Sequence, residues 1–333
     1  MKISYFQRRP GPRQFSIERI FADVRMALPP GVEGKAHISR YHSRGALPRL
    51  YNIVEAAFRQ SEINHVTGDV HFLVYFLHKK RTVLTVLDCV GLHHLRGTRR
   101  RLLKLFWYTL PIARSQVITV ISEFTKTELI QWTGCDPDKI RIIHVPLNPA
   151  FSPCEKVFNA SCPTILQLGT SRNKNIERSA VALRGISCRL EIVGTLQPSQ
   201  KEALATNEIN YTVRAGLSDE EIVEAYRNCD LVLFPSTYEG FGMPIIEGQA
   251  IGRPVVAGNV CSMPEVAGEA ACLVDPFDAG SIRAGILKVI RESSYRESLV
   301  ERGYRNVARF SPETIAGQYV QVYQELLPGL RND

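Results

Sequence analysis

A two-domain α/β fold with parallel sheets is predicted for this 333-residue chain by three observations. Both halves alternate short apolar runs with longer amphipathic ones, the pattern of strands joined by crossover helices. The stretch Pro146-Leu147-Asn148-Pro149-Ala150-Phe151-Ser152-Pro153 between the halves holds three prolines, which forbid regular structure. The length itself suits two domains of ordinary size.

In the first half, apolar runs predict strands at 2–5, 36–39, 63–66, 82–86, 117–120 and 141–144. Apolar residues recurring three or four apart predict helices at 48–60, 99–113 and 123–132, with Ser122 as N-cap of the last. In the second half the strands fall at 164–168, 189–193, 210–213, 231–234, 254–257 and 271–274. The helices there are 175–183, 219–228, 244–251, 278–291 and 295–309, with Ser218 or Asp219 capping the second. A last helix runs from the cap Ser311-Pro312-Glu313 to Leu327. The domains are therefore expected at 1–150 and 151–310, followed by a terminal helical segment at 311–333.

Composition excludes several classes. A hydrophobic content of 44% with 22% charged residues is that of an ordinary globular chain. The longest apolar run, Phe72 to Leu77, stops at His78-Lys79-Lys80-Arg81, well short of a membrane span. The opening residues lack a signal-peptide layout. Eight scattered cysteines without a C-x-x-C pair suit small core residues in a reducing compartment, so a cytoplasmic location is expected. Charge is uneven. Residues 1–150 hold 23 Lys+Arg against 11 Asp+Glu, net +12, and residues 151–333 hold 18 against 22, net −4. A basic half predicts an anionic partner: a membrane surface, a lipid pyrophosphate or nucleic acid.

The segment from Phe234 to Val256 carries most of the chemistry. The strand Leu231-Val232-Leu233-Phe234 ends at Pro235, Glu239-Gly240-Phe241-Gly242 makes a turn, and Met243-Pro244 opens a helix. The amides of Phe241, Gly242 and Met243 then face out of a positive helix end, which is an anion site. A carboxylate beside it repels phosphate, so Glu239 is expected to meet neutral hydroxyls, as on a sugar. Glu247 is open to a second reading, a carboxylate placed only to suit the helix dipole. Both carboxylates lie at the carboxyl edge of a predicted sheet, where open α/β sheets bind ligands. A second phosphate-binding turn is predicted at Leu168-Gly169-Thr170-Ser171-Arg172-Asn173-Lys174-Asn175, a strand–Gly–helix junction with two cations; it is not a P-loop. A solvated basic loop is the alternative.

The string around Glu239 and Glu247 resembles the E-x7-E signature of retaining GT-B glycosyltransferases of the family 4 type, also called group 1. That resemblance covers residues 160–310 through specific motifs and 82–151 more loosely. It implies two Rossmann-like domains facing across a cleft, with a terminal helix crossing back to the first. It also implies that Glu239 and the amides of Gly240, Phe241, Gly242 and Met243 hold the donor sugar, and that Glu247 holds the ribose. Lys174 and Arg172, with Gly169, would hold the donor diphosphate, although Thr170 stands where the family has its arginine. Arg214 to Leu217 would flank the nucleotide base. At Thr85-Val86-Leu87-Asp88 the family's Thr-x-His-Asp is present except for its histidine, leaving Asp88 as the catalytic candidate there.

For the acceptor side the residues point to Arg8, Arg9 and Arg13 after the first strand, to His71 with Asp69, and to His93. Each is equally readable as ordinary surface. The basic amphipathic segment 96–107 reads either as a helix lying on an anionic membrane or as one packed on the sheet with solvated arginines. The one D-x-D, Asp136-Pro137-Asp138, sits in a proline turn far from the predicted phosphate turn, so no metal and no other cofactor is expected. The expectation is a retaining, metal-independent hexosyltransferase using GDP-mannose or a UDP-sugar, with a mannosyltransferase as one form. Its acceptor would be a glycan or lipid-linked saccharide in cell-surface polysaccharide synthesis, met in the cytoplasm at the inner face of the membrane. Two rivals differ in class. An NAD oxidoreductase would need G-x-G-x-x-G, which is absent. A basic nucleic-acid- or membrane-binding protein with a silent GT-B fold would lack turnover; no nucleic-acid motif supports a nucleic-acid partner.

Overall fold

The structure, a computed structural model, describes residues 1–11 and 16–327. It divides into two compact units, Met1–Pro146 with the segment from Pro312, and Leu147–Ser311. The first holds strands β1 (Lys2–Gln7), β2 (Glu33–Ile38), β3 (Ile63–Val66), β4 (Thr82–Val86), β5 (Val117–Val120) and β6 (Ile140–Ile142). All six are parallel, in the order β2-β1-β3-β4-β5-β6. The second holds β7 (Thr164–Leu168), β8 (Arg189–Val193), β9 (Tyr211–Arg214), β10 (Leu231–Phe234), β11 (Val255–Gly258) and β12 (Cys272–Val274). Their order is β12-β11-β10-β7-β8-β9, again all parallel. Each predicted strand forms, with ends displaced by three residues at most; central strands such as β5 and β10 are apolar because both faces are covered, whereas the edge strands β2 and β9 are part-exposed and more polar. β10, Leu-Val-Leu-Phe, is buried at all four positions.

The second sheet reverses direction between β7 and β10. Crossovers from β7 proceed outward through β8 and β9, and those from β10 proceed the other way through β11 and β12. Loops leaving β7 and β10 therefore diverge and open a crevice at their carboxyl ends. That switch point brings the turn at Gly169–Asn175 beside the turn at Glu239–Gly242, 65 residues later.

Several helices were not foreseen. Ser16–Met26 and Pro198–Thr206 form, the second through a capping box between Gln197 and Gln200. Pro198–Thr206 has almost no apolar period, whereas in Ser16–Met26 the spacing Ile17, Ile20, Phe21, Val24 is that of an amphipathic helix and was visible in the sequence. The predicted helix at 99–113 is interrupted. It forms as Gly97–Leu103, a wider π-helical turn Lys104–Thr109, and Leu110–Arg114. Pro111 causes the break, since it has no N–H to give the carbonyl of Trp107 four residues back. His71 Nδ1 meets that carbonyl instead at 2.6 Å, and Tyr75 donates its hydroxyl to the carbonyl of Phe106 at 2.7 Å.

The helix Pro312–Leu326 belongs to the first unit and buries Ile315, Tyr319, Val320 and Tyr323 there. Tyr323 bonds the fully buried His65 through Nδ1 at 2.7 Å, and His65 Nε2 meets Thr85 Oγ1 at 2.7 Å. Thr85 continues to Thr119 at 2.6 Å, and Tyr323 donates to Tyr5 at 3.0 Å. One polar network thus joins β1, β3, β4, β5 and this helix, so every buried polar atom in it has a partner.

Candidate functional site

The two predicted turns of the second unit meet through side chains. Lys174 Nζ lies 2.6 Å from Glu239 Oε1, and Asn173 Nδ2 donates to the same oxygen at 3.1 Å and to the carbonyl of Tyr238 at 2.9 Å. Both charged side chains are mostly covered, at 18% and 15% exposure. Lys174 Nζ also sits 4.7 Å over the ring of Phe234, the last residue of β10. Gly169 makes this route passable. It sits at φ +84°, and a Cβ there would stand 3.0 Å from Lys174 Cε and 3.1 Å from Lys174 Cγ. Thr170, at the position where an arginine was expected, instead packs against Gly194 and donates its hydroxyl to the carbonyl of Thr195 at 2.8 Å.

Two residues that sequence reasoning did not single out hold the loops. Asn175 adopts φ +65°, is buried, and its amide donates to the carbonyls of Pro235 at 3.0 Å and Pro276 at 2.6 Å. It pins the loop after β7 to the loops after β10 and β12. Ser262 Oγ is buried 2.9 Å from the carbonyl of Glu239 and 2.8 Å from that of Phe241, fixing the backbone of the E-G-F-G turn. The only hint in the sequence was an asparagine at a strand–helix junction, where a left-handed residue is tolerated.

Gly242 at φ +107° caps the helix Met243–Ile251, with Pro244 in its first turn, as the sequence indicated. The amides of Gly240, Phe241, Gly242 and Met243 belong to that turn and helix start, while the Phe241 ring packs edge-on to Phe310 at 5.7 Å. Glu247 is the fifth residue of this helix, so the dipole of the first turn does not explain it. It is nearly buried, and the hydroxyl of fully buried Tyr226 donates to its Oε2 at 2.5 Å. Burial, then the adjacent Glu247 charge, push the Tyr226 phenol well above its ordinary pKa, so it remains a donor. Arg253, also buried, reaches back to the Tyr226 carbonyl at 3.1 Å.

The remaining donor-side residues separate from this cluster. Arg172 shares a short 3₁₀ turn with Asn173 and Lys174 but is exposed and lines a groove with Arg178, Thr237 and Phe277. Arg214 pairs with Glu191 at 3.3 Å and Glu221 at 3.5 Å, and Leu217 is half-buried just before the Ser218–Glu221 capping box.

In the first unit Asp88 follows β4 and its Oδ1 accepts from the backbone of Val90 at 3.0 Å. His71 is buried and engaged with Trp107, and burial lowers its pKa, holding it neutral. It is a structural partner of the π-helical turn. His93 Nε2 meets Glu128 at 2.5 Å, edge-on to Trp132. Arg8 is held by Glu18 at 2.7 Å and Asp69 at 3.0 Å, across the β1–β3 switch point, and Arg9 donates to the carbonyl of Arg40. Arg13 lies outside the described residues. Asp136 of the D-x-D caps its own turn through Asp138 N at 2.9 Å.

The family model described as glycosyl transferases group 1 matches residues 156–306, and the one described as Glycosyltransferase Family 4 matches residues 6–151. A stretch of 108 residues, 32% of this chain, is 40% identical to O-antigen chain mannosyltransferase B of Escherichia coli, covering 28% of it. Across that protein and five other curated relatives the matched stretches span 16–36% of the relative's length. Sucrose-phosphate synthase from Thermosynechococcus elongatus has a similar structure, with TM-score 0.79 and 17% identity over 98% of this chain and 99% of that one. HepE of Anabaena, solved with UDP and glucose, gives 0.76 at 16% identity over 98% and 100%. At such identities the likeness is one of fold. No described helix is long and apolar enough to cross a membrane. With two parallel Rossmann-like sheets and both halves matched, the chain belongs to the group 1, family 4 type of glycosyltransferases, of GT-B fold.

Proposed function

We propose that this chain is a retaining hexosyltransferase that takes its sugar from GDP-mannose or a UDP-sugar without a metal ion. The observation that carries the reading is the Lys174–Glu239–Asn173 cluster at the switch point, next to the helix that starts at Gly242. An ammonium and a helix N-terminus suit a diphosphate, and a carboxylate held beside them suits sugar hydroxyls. Likeness to an O-antigen mannosyltransferase favours mannose, and the UDP and glucose in the HepE structure favour a uridine donor.

In this reading donor binding exchanges the partner of Lys174. The ammonium leaves Glu239 Oε1 for the diphosphate, and Glu239 turns to the hexose. The bond from sugar C1 to the phosphate oxygen breaks. Lys174 and the amides of Gly242 and Met243 stabilise the growing negative charge, each such preorganised donor being worth ~3–4 kcal/mol. The acceptor oxygen bonds C1 on the same face, and its proton passes to the departing phosphate oxygen, so no protein nucleophile is required. Glu247 holds the ribose, and Arg214 with Leu217 flanks the base. Asp88, at the carboxyl end of β4, serves the acceptor side.

The acceptor is a glycan or lipid-linked saccharide met at the cytoplasmic face of a membrane. Leu103, Trp107, Tyr108 and Ile112 pack into the core, while Leu102, Leu105, Phe106 and Leu110 stay exposed beside Arg99, Arg100, Arg101 and Lys104. The adjoining helix Ala46–Ala57 adds Leu47 at 79% exposure and is followed by Phe58 at 87%; Arg49 stacks 4.9 Å over Trp107. Apolar residues rimmed by arginines match an anionic lipid surface.

A panel of GDP- and UDP-sugars, scored for donor hydrolysis with wild-type protein and Glu239→Gln, tests this. The expected result is hydrolysis of one donor class by wild type and its near abolition in the variant at unchanged melting temperature. Wild-type turnover by Glu239→Gln would refute the assignment.

A further inference from the structure

We propose that the groove lined by Arg172, Arg178 and Phe277 binds the charged group and ring of an anionic saccharide, separately from the donor diphosphate. Three loops form it at the carboxyl edge of the second sheet: Arg172 follows β7, Thr237 follows β10 and Phe277 follows β12. Its volume, about 620 Å³, is that of a small-molecule site. The Arg172 guanidinium has no hydrogen-bond or ion-pair partner among the described residues, although its turn is held by Thr237 N, which donates to the carbonyl of Asn173, and by Gln167 Nε2, which donates to that of Lys174. Guanidinium is the side chain best shaped to take phosphate or carboxylate through two parallel bonds. Arg178 stands 5.8 Å over the Phe277 ring and gives one N–H to Asn175 Oδ1 at 3.0 Å.

Phe277 is 57% exposed. A flat ring left in water beside two guanidiniums offers a platform for the C–H face of a pyranose whose anionic group meets the arginines. Glu177 is the one carboxylate of the lining, and Ser199 donates to it at 3.1 Å. Two cations against one anion leave the groove positive, with an acceptor for sugar hydroxyls.

Resemblance alone would place Arg172 with Lys174 on the donor diphosphate. The geometry divides them: within one turn Lys174 and Asn173 reach Glu239, whereas Arg172 lines the groove with Phe277. Asn175, bonded to the carbonyls of Pro235 and Pro276, fixes all three loops in place before any ligand arrives. Assigning the groove to the acceptor or product rests on the glycosyltransferase reading; binding itself does not.

Calorimetry on the full chain with glucose 6-phosphate, glucuronate, glucose and inorganic phosphate, alone and with saturating GDP or UDP, tests the site. At least one charged sugar is expected to bind about tenfold more tightly than both glucose and inorganic phosphate, with nucleotide present or absent. Arg172→Ala should weaken that binding about tenfold or more, the scale of one lost charge-assisted bond, and change GDP and UDP affinity less than about twofold. Phe277→Ala should weaken the sugar and spare inorganic phosphate. The proposal is overturned if no charged sugar saturates, if phosphate alone binds as well as the sugar phosphate, or if Arg172→Ala weakens the nucleotide and spares the sugar. Donor hydrolysis by the wild-type chain reports on the glycosyltransferase reading independently.

Discussion

Replacing Tyr226 by phenylalanine removes one oxygen and nothing else from the second unit. The ring keeps its edge-on packing against Phe151 at 5.3 Å, so no cavity larger than a hydroxyl opens. What is lost is the 2.5 Å bond to Glu247 Oε2, a carboxylate with only 9% of its surface exposed. A hydrogen bond to a charged acceptor contributes about 1.5–3 kcal/mol, and a buried carboxylate deprived of a donor costs a similar amount. The loss should therefore appear as a drop of about 2 kcal/mol in unfolding free energy, seen as a lower urea midpoint at constant slope. Because the phenol stays protonated, the difference should be the same from pH 6 to pH 9. If Glu247 grips the ribose, removing the Tyr226 hydroxyl from its carboxylate should also weaken UDP or GDP binding about tenfold by calorimetry. A midpoint and a nucleotide affinity both indistinguishable from wild type would refute the claim that this bond positions Glu247. A lower midpoint with unchanged affinity would reduce the bond to a structural one.

Buried His65 has its pKa lowered from 6.5 to about 3 by burial. The unfolded chain takes up a proton below pH 6.5 and the folded chain does not, so its contribution is complete above that pH. It is lost as pH falls toward 3, at about 1.4 kcal/mol per unit. His65→Gln should flatten the acid limb of a stability-against-pH plot by that slope, and parallel limbs in the two proteins would count against the network described. Gly285, in the helix Ala279–Arg291, has no room for a side chain: a Cβ would stand 2.5 Å from Val274 Cγ1. Gly285→Ala gains up to ~1 kcal/mol of helix propensity but should lose more, ~1–3 kcal/mol, to overpacking. A thermal melt that rises rather than falls would show that β12 yields freely.

Strand positions were legible because a parallel strand buried on both faces must be apolar throughout, and short runs such as Val117–Val120 or Leu231–Phe234 can do little else. Caps were legible for the same local reason: Ser122 and Ser218 accept from the third residue of their own helices. The interruption at Pro111 follows from a residue visible in the chain, yet its consequence was not. Which group would meet the orphaned carbonyl of Trp107 depended on His71, 36 residues earlier. Helix Pro198–Thr206 escaped because it has almost no apolar period, whereas the i, i+3, i+4, i+7 spacing of Ile17, Ile20, Phe21 and Val24 made Ser16–Met26 legible.

Chemistry at the site divides along the same line. The sequence by itself determined the residue types and their local settings: a carboxylate in a glycine turn before a helix at Glu239, a lysine in a strand–Gly–helix junction at Lys174, and a second carboxylate at Glu247. Only the tertiary structure decided their partners. The order β12-β11-β10-β7-β8-β9 puts β7 beside β10, and so joins Lys174 to Glu239; helix packing joins Tyr226 to Glu247; the direction of one short turn takes Arg172 away from Lys174. Local structure follows from torsional preference and burial within a few residues, whereas partners 21 to 65 residues apart are set by which strands pair.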